Sequence, residues 1–199
     1  MSDKMKDDEA QECVRRLLRY LGDDPEREGL KDTPKRVLGA MKEHFRGYEE
    51  DPVAHLSRTF SEVEGYDELV LISDIEIYSH CEHHVVPFVG KAHVAYIPNG
   101  KVVGLSKIAR VVDTFAKRLL VQEKLTAQIA NAIDETLSPQ GTAVILQCQH
   151  FCMCYRGVRK SGSWTTTSRL TGCFLQDEAA RMELLTLIGM HRSIGGAGN

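Results

Sequence analysis

The chain has 199 residues, 42% hydrophobic and 27% charged, with a formal net charge of −3, the profile of an ordinary soluble globular protein. No apolar stretch approaches the roughly 20 residues of a membrane span. The mild negative balance invites no nucleic acid and leaves any anionic ligand to a local basic cluster. The start, Met1 to Ala10, is polar and acidic and lacks the apolar segment of a secretory signal, so a cytoplasmic location without structural disulfides is expected. The length suits one sizeable core, read as an N-terminal helical region over 1–66 and a catalytic region over 67–199.

Val14, Leu17, Leu18 and Leu21 recur at helical spacing ahead of Gly22, which predicts a first short helix with a glycine stop. Asp32-Thr33-Pro34 then offers a cap followed by proline in the first turn, and Leu38, Met41 and Phe45 form the stripe of a second helix reaching about Gly47. Between Glu68 and Tyr96 the pattern turns β-rich, predicting two strands joined by Ser79 to Pro87. Ile108, Val111, Val112, Phe115 and Leu119 mark an amphipathic helix with Ser106 as its N-cap, and Leu125, Ile129 and Ile133 another that ends before Ser138-Pro139. Thr142 to Met153 and Ser163 to Phe174 read as two further strands, with Asp177 capping a last helix. The expected core is α+β in the order β-β-α-α-β-β.

The six cysteines are Cys13, Cys81, Cys148, Cys152, Cys154 and Cys173. In a reducing compartment, their clustering beside histidines points to metal or chemistry. Cys81 and His84 stand three apart, close enough to converge on one ion, and on a strand His150 and Cys152 would share a face. Two thiolates and an imidazole favour zinc, and three protein ligands leave a fourth position for water. A closed structural site completed by Cys154 is the competing arrangement. The nearby His83 and His150 speak for proton transfer instead. Cys13 and Cys148 read as small buried hydrophobes.

Five ordered motifs carry a resemblance: Cys81-Glu82-His83-His84, Gly104 to Arg110, Val121 to Leu125, His150-Phe151-Cys152 with Arg156-Gly157-Val158, and Thr165 to Ser168. Together they closely resemble the type I GTP cyclohydrolase I family, from Thr33-Pro34-Lys35-Arg36 onward. The resemblance implies one zinc per subunit on Cys81, His84 and Cys152, with His83 and His150 moving protons as the guanine imidazole ring of GTP is opened at C8. Formate leaves, and the product is 7,8-dihydroneopterin triphosphate. Glu123, beside Gln122, resembles the guanine reader, since a carboxylate can accept from both N1–H and the 2-amino group. Ser106, Lys107, Arg110 and Arg156 resemble the triphosphate clamp, with Arg36 contributing. The implied fold is the T-fold, a four-stranded antiparallel sheet with a helix pair on one side. The implied assembly is a homodecamer, a dimer of pentamers, whose sites lie at subunit interfaces with Gln122 and Glu123 crossing the boundary. A related zinc hydrolase of another purine nucleotide and a noncatalytic zinc-stabilised module are the alternatives.

Overall fold

The computed structural model describes residues 5–61 and 64–195, and the chain forms two compact units divided between Arg46 and Gly47. The first holds α1 (Asp7–Tyr20) and α2 (Thr33–His44). Gly22 follows α1 in the left-handed region at φ 92°, a conformation glycine adopts without steric cost. Pro34 sits in the first turn of α2, where its missing N–H leaves nothing unpaired. Asp32 makes no capping bond; its carboxylate lies 3.5 Å from the Arg36 guanidinium instead.

The second unit runs α3 (Pro52–Leu56), β1 (Thr59–Phe60), β2 (Val70–Cys81), β3 (Val86–Ile97), β4 (Val102–Val103), α4 (Leu105–Ala116), β5 (Leu119–Leu120), α5 (Gln122–Leu137), β6 (Gly141–His150), α6 (Phe151–Cys154), β7 (Thr165–Leu170), α7 (Gly172–Gln176) and α8 (Glu178–Gly195). Strands β2, β3, β6 and β7 pair antiparallel in that order, with α4 and α5 between the two hairpins in sequence. This is the β-β-α-α-β-β plan of the T-fold. Alternation sorts the strands into two faces. Ile77, Ala92, Val94, Tyr96, Val144 and Leu146 pack with Ile108, Val111, Leu125 and Ile129 of the helix pair. Ala95 and Ala143, on the other face, pack with Phe174, Leu184 and Ile188. Full burial of each large aliphatic side chain contributes about 1.5–3 kcal/mol, so the helix pair is held mainly by its apolar stripe.

Several boundaries differ from the sequence expectation. The hairpin link is only Glu82 to Val85, because Ser79, His80 and Cys81 pair with Phe88, Pro87 and Val86. Pro87 is tolerated in β3 because β6 stops at His150, opposite Phe88, and demands no N–H from residue 87. Ser106 is not the cap of α4: the helix begins at Leu105 behind extended Gly104, whose carbonyl accepts from Lys107 N at 2.8 Å. Leu119 leaves that helix for β5, which lies parallel to His80–Cys81 and adds a fifth strand to the sheet. The strand expected over Thr142 to Met153 ends at His150, and Phe151 to Cys154 make one helical turn. Likewise β7 stops at Leu170, and Gly172, at φ 50°, turns the chain into α7, which buries Phe174. At α8 the expectation matches: the Asp177 carboxylate accepts from Ala179 N at 2.9 Å.

Gly90 stands opposite Cys148 in the β3–β6 ladder. A Cβ there would lie 2.0 Å from the Gln147 carbonyl oxygen and 2.8 Å from the Cys148 sulfur. Only glycine lets that thiol fill the space, and the thiol is fully buried. Burial raises it from an ordinary 9.0 to about 12. A raised acid pKa means the folded state keeps its proton longer than the unfolded chain does. The associated stability is complete below pH 9 and is lost as pH rises toward 12. Chemical denaturation of wild type between pH 8 and 11 is therefore expected to lose more stability than Cys148→Ala, by up to about 1.4 kcal/mol per pH unit within the window. Parallel slopes for the two proteins would rule this out.

Candidate active site

Cys81 ends β2 on the helix-facing side and is buried, as its parity with Ile77 requires. The link that follows is held by a bond from Val85 N to the Cys81 carbonyl at 2.9 Å. Val85 itself sits at φ 53°, a strained conformation for a β-branched residue that costs of order 1–3 kcal/mol. The tight link brings His84 Nδ1 to 3.7 Å from the Cys81 sulfur. Cys152, on the single turn of α6, completes a group whose ligand atoms all lie within 4.8 Å of one another. Cys154 is not part of that group. Strand alternation was therefore the wrong reason for bringing Cys152 to the site: the turn after His150 does it.

The donor set fits a zinc ion. Tetrahedral zinc, with bonds of about 2.3 Å to sulfur and 2.0–2.1 Å to nitrogen, separates the two donors by about 3.6 Å, close to the sulfur–nitrogen distance here. Burial, and then the adjacent Cys81, push the Cys152 thiol above its ordinary pKa, while the Arg156 charge pulls it down. Two thiolates side by side thus call for a cation between them, and soft sulfur donors favour zinc over magnesium or calcium.

Beside this group lies a cavity of about 230 Å³ lined by Cys81, His83, Leu120, Val121, Gln122, Glu123, His150, Cys152, Met153 and Thr165. Strand β5 explains why Gln122 and Glu123 belong to it: Leu120 pairs with Cys81, and its carbonyl accepts from Glu82 N at 3.1 Å. The residues opening α5 are thereby delivered to the Cys81, His84 and Cys152 group. His150 closes the other side, stacked on Phe88 with ring centroids 4.6 Å apart and planes 14° from parallel. Burial lowers its pKa, with the Glu123 carboxylate pulling it back up. Its Nε2 lies 2.8 Å from Gln122 Oε1.

The basic residues behave differently. Ser106, Lys107 and Arg110 lie on the first turns of α4, and neither they nor Arg156 are among the described residues lining the cavity. Arg36 belongs to the first unit. Gln122 makes its contacts within its own chain: its side chain is buried and bonded there, and Glu123 lines its own chain's cavity. Phe88, Thr126 and strand β5 went unread in the sequence, and Thr167 entered it only within the motif from Thr165 to Ser168.

Residues 10–189 match the family model for GTP cyclohydrolase I. The chain belongs to the GTP cyclohydrolase I family. It is 57% identical over 180 residues to GTP cyclohydrolase 1 of Sinorhizobium fredii, covering 90% of this chain and 88% of that one. To GTP cyclohydrolase 1 of Hyphomonas neptunium it is 55% identical over 181 residues, covering 91% and 88%. The crystal structure of the archaeosine synthase QueF-Like in the apo form aligns at a TM-score of 0.44 and 18% identity, covering 52% of this chain and 93% of that one, a likeness too remote to add to the sequence relatives. No helix among the described residues is long and apolar enough to cross a membrane.

Proposed function

We propose that this chain is a cytoplasmic, zinc-dependent GTP cyclohydrolase I that converts GTP to 7,8-dihydroneopterin triphosphate and formate, the entry step to folates and other pterins. The carrying observation is the convergence of Cys81, His84 and Cys152 with His83, His150 and Glu123 around one end of the sheet, in a chain of that family. One zinc per subunit is held by the two cysteines and His84. When bound, the ion supplies the Lewis acidity that makes water a competent nucleophile near neutral pH.

The chain's own residues do the rest. The Glu123 carboxylate accepts from guanine N1–H and the 2-amino group, a donor pair that adenine lacks, and so selects GTP over ATP. His150 and His83 deliver and remove protons at the imidazole ring, protonation of N7 making C8 more electrophilic, and serve again as the opened ring loses formate. Ser106, Lys107, Arg110 and Arg156 grip the triphosphate, with Arg36 assisting. In a homodecamer of two pentamers with sites at subunit interfaces, the assembly proposed for this chain, such residues can reach a neighbouring subunit's substrate. Exposed strand edges on a lone subunit favour such pairing. Nucleic acid and membrane have no part in this reading.

Incubating the zinc-loaded protein with GTP tests the proposal, with formate and pterin absorbance appearing in equal amounts as the expected result. No turnover at full zinc occupancy would leave a binding module in its place.

A further inference from the structure

The side chain of Gln122 is too fully engaged to read a substrate. Its Nε2 is 3.3 Å from the Leu146 carbonyl, 3.1 Å from the Thr165 carbonyl and 3.0 Å from Thr167 Oγ1, and its Oε1 is 2.8 Å from His150 Nε2. The two backbone carbonyls decide which end of the amide is which. Carbonyl oxygens only accept, so the NH2 end must face them and the oxygen must face His150. The amide cannot turn over without setting oxygen against two carbonyls.

Two threonines lock that orientation. Thr126 Oγ1 donates to the Gln122 backbone carbonyl at 2.8 Å and lies 2.7 Å from Thr167 Oγ1. Since the Thr126 proton is committed, Thr167 donates to Thr126 while accepting from the Gln122 amide. Each threonine hydroxyl proton then has one acceptor, while the two amide hydrogens of Gln122 are shared among the two carbonyls and Thr167 Oγ1. Thr126 and Gln122 are buried, and a polar network this complete holds its members in one arrangement.

We propose that Gln122 is a positioning residue that fixes neutral His150 as the Nε2–H tautomer, leaving Nδ1 as the ring nitrogen that takes and returns protons during the reaction. An acceptor locked opposite Nε2 admits only a protonated nitrogen there. The Phe88 ring, stacked on the imidazole, holds its plane while Gln122 fixes its rotation. The same oxygen stabilises the ring when both nitrogens carry protons, so His150 can cycle without reorienting. The role rests on the cyclohydrolase reading for its catalytic meaning, while the tautomer itself does not.

Magic-angle-spinning NMR of the zinc-loaded protein labelled with 15N-histidine, at a pH where histidine is neutral, reads the tautomer directly, with His150→Ala identifying the resonances. The expected spectrum has His150 Nε2 protonated and Nδ1 bare; a protonated Nδ1 overturns the proposal. In Gln122→Ala the His150 signals should become a mixture of tautomers. The kcat of this variant for GTP should fall by about 10–100-fold, the usual cost of losing a partner that orients a histidine, with KM for GTP little changed. A raised KM with unchanged kcat would make Gln122 a guanine contact instead. Because Gln122 is buried, Thr167→Val provides a milder variant that keeps the shape and removes the hydroxyl. It should move kcat and the tautomer ratio in the same direction, and leaving both at wild-type values would count against the circuit. Absence of GTP turnover in wild type defeats the cyclohydrolase reading, whereas the spectrum decides the tautomer independently.

Discussion

Cys152→Ala is expected to purify without stoichiometric zinc and to lose GTP turnover by more than about 10³-fold, the order at which an electrophilic group contributes. The side chain is partly buried on the single turn of α6, with its sulfur in the same small group as Cys81 Sγ and His84. Alanine leaves one thiolate and one imidazole, too few donors to hold the ion in competition with solvent. The fold should survive, because Cys152 stands at the rim of the main core. Metal analysis alongside the thermal transition checks both halves. Full zinc retention in the variant would show that the ligand set is wrong.

His150→Ala should separate chemistry from metal binding. His150 is not in the Cys81, His84, Cys152 group, yet it lines the same cavity and is held by Gln122 and Phe88. Zinc content should stay at one per subunit while kcat falls by about 10²–10⁴-fold, the range for a positioned acid-base group. Affinity for GTP should change little, since the proposed reading assigns guanine to Glu123 and the triphosphate to the basic cluster. Loss of zinc together with activity would instead place His150 among the ligands and close the open coordination position.

Much of this was legible before folding was considered. The period-two and 3.6-residue patterns placed four strands and the helix pair in order, because alternate burial on a sheet and one-sided burial on a helix leave different spacings. Cys81, His84 and Cys152 were legible because thiols and imidazoles clustered in this way have few uses together. The misjudged boundaries share one cause. At Leu119, His150 and Cys173 the local residues are compatible with both strand and helix, and long-range pairing makes the choice. Leu119 becomes strand because His80 is available beside it; Phe151 turns helical because β3 offers no partner beyond Phe88.

The amino-acid sequence by itself determined the kind of site, sulfur and imidazole donors suited to a soft cation beside two further histidines, and the layered α+β core that carries it. Residue chemistry and spacing suffice for that, because ligand preference and side-chain period are local properties. Tertiary structure decided how the parts meet. A two-residue strand beside Cys81 carries Gln122 and Glu123 to the candidate metal group, one helical turn after His150 swings Cys152 inward, and a glutamine that looked like a substrate contact is committed to a histidine. These outcomes depend on pairings between residues far apart in the chain, which no local pattern contains.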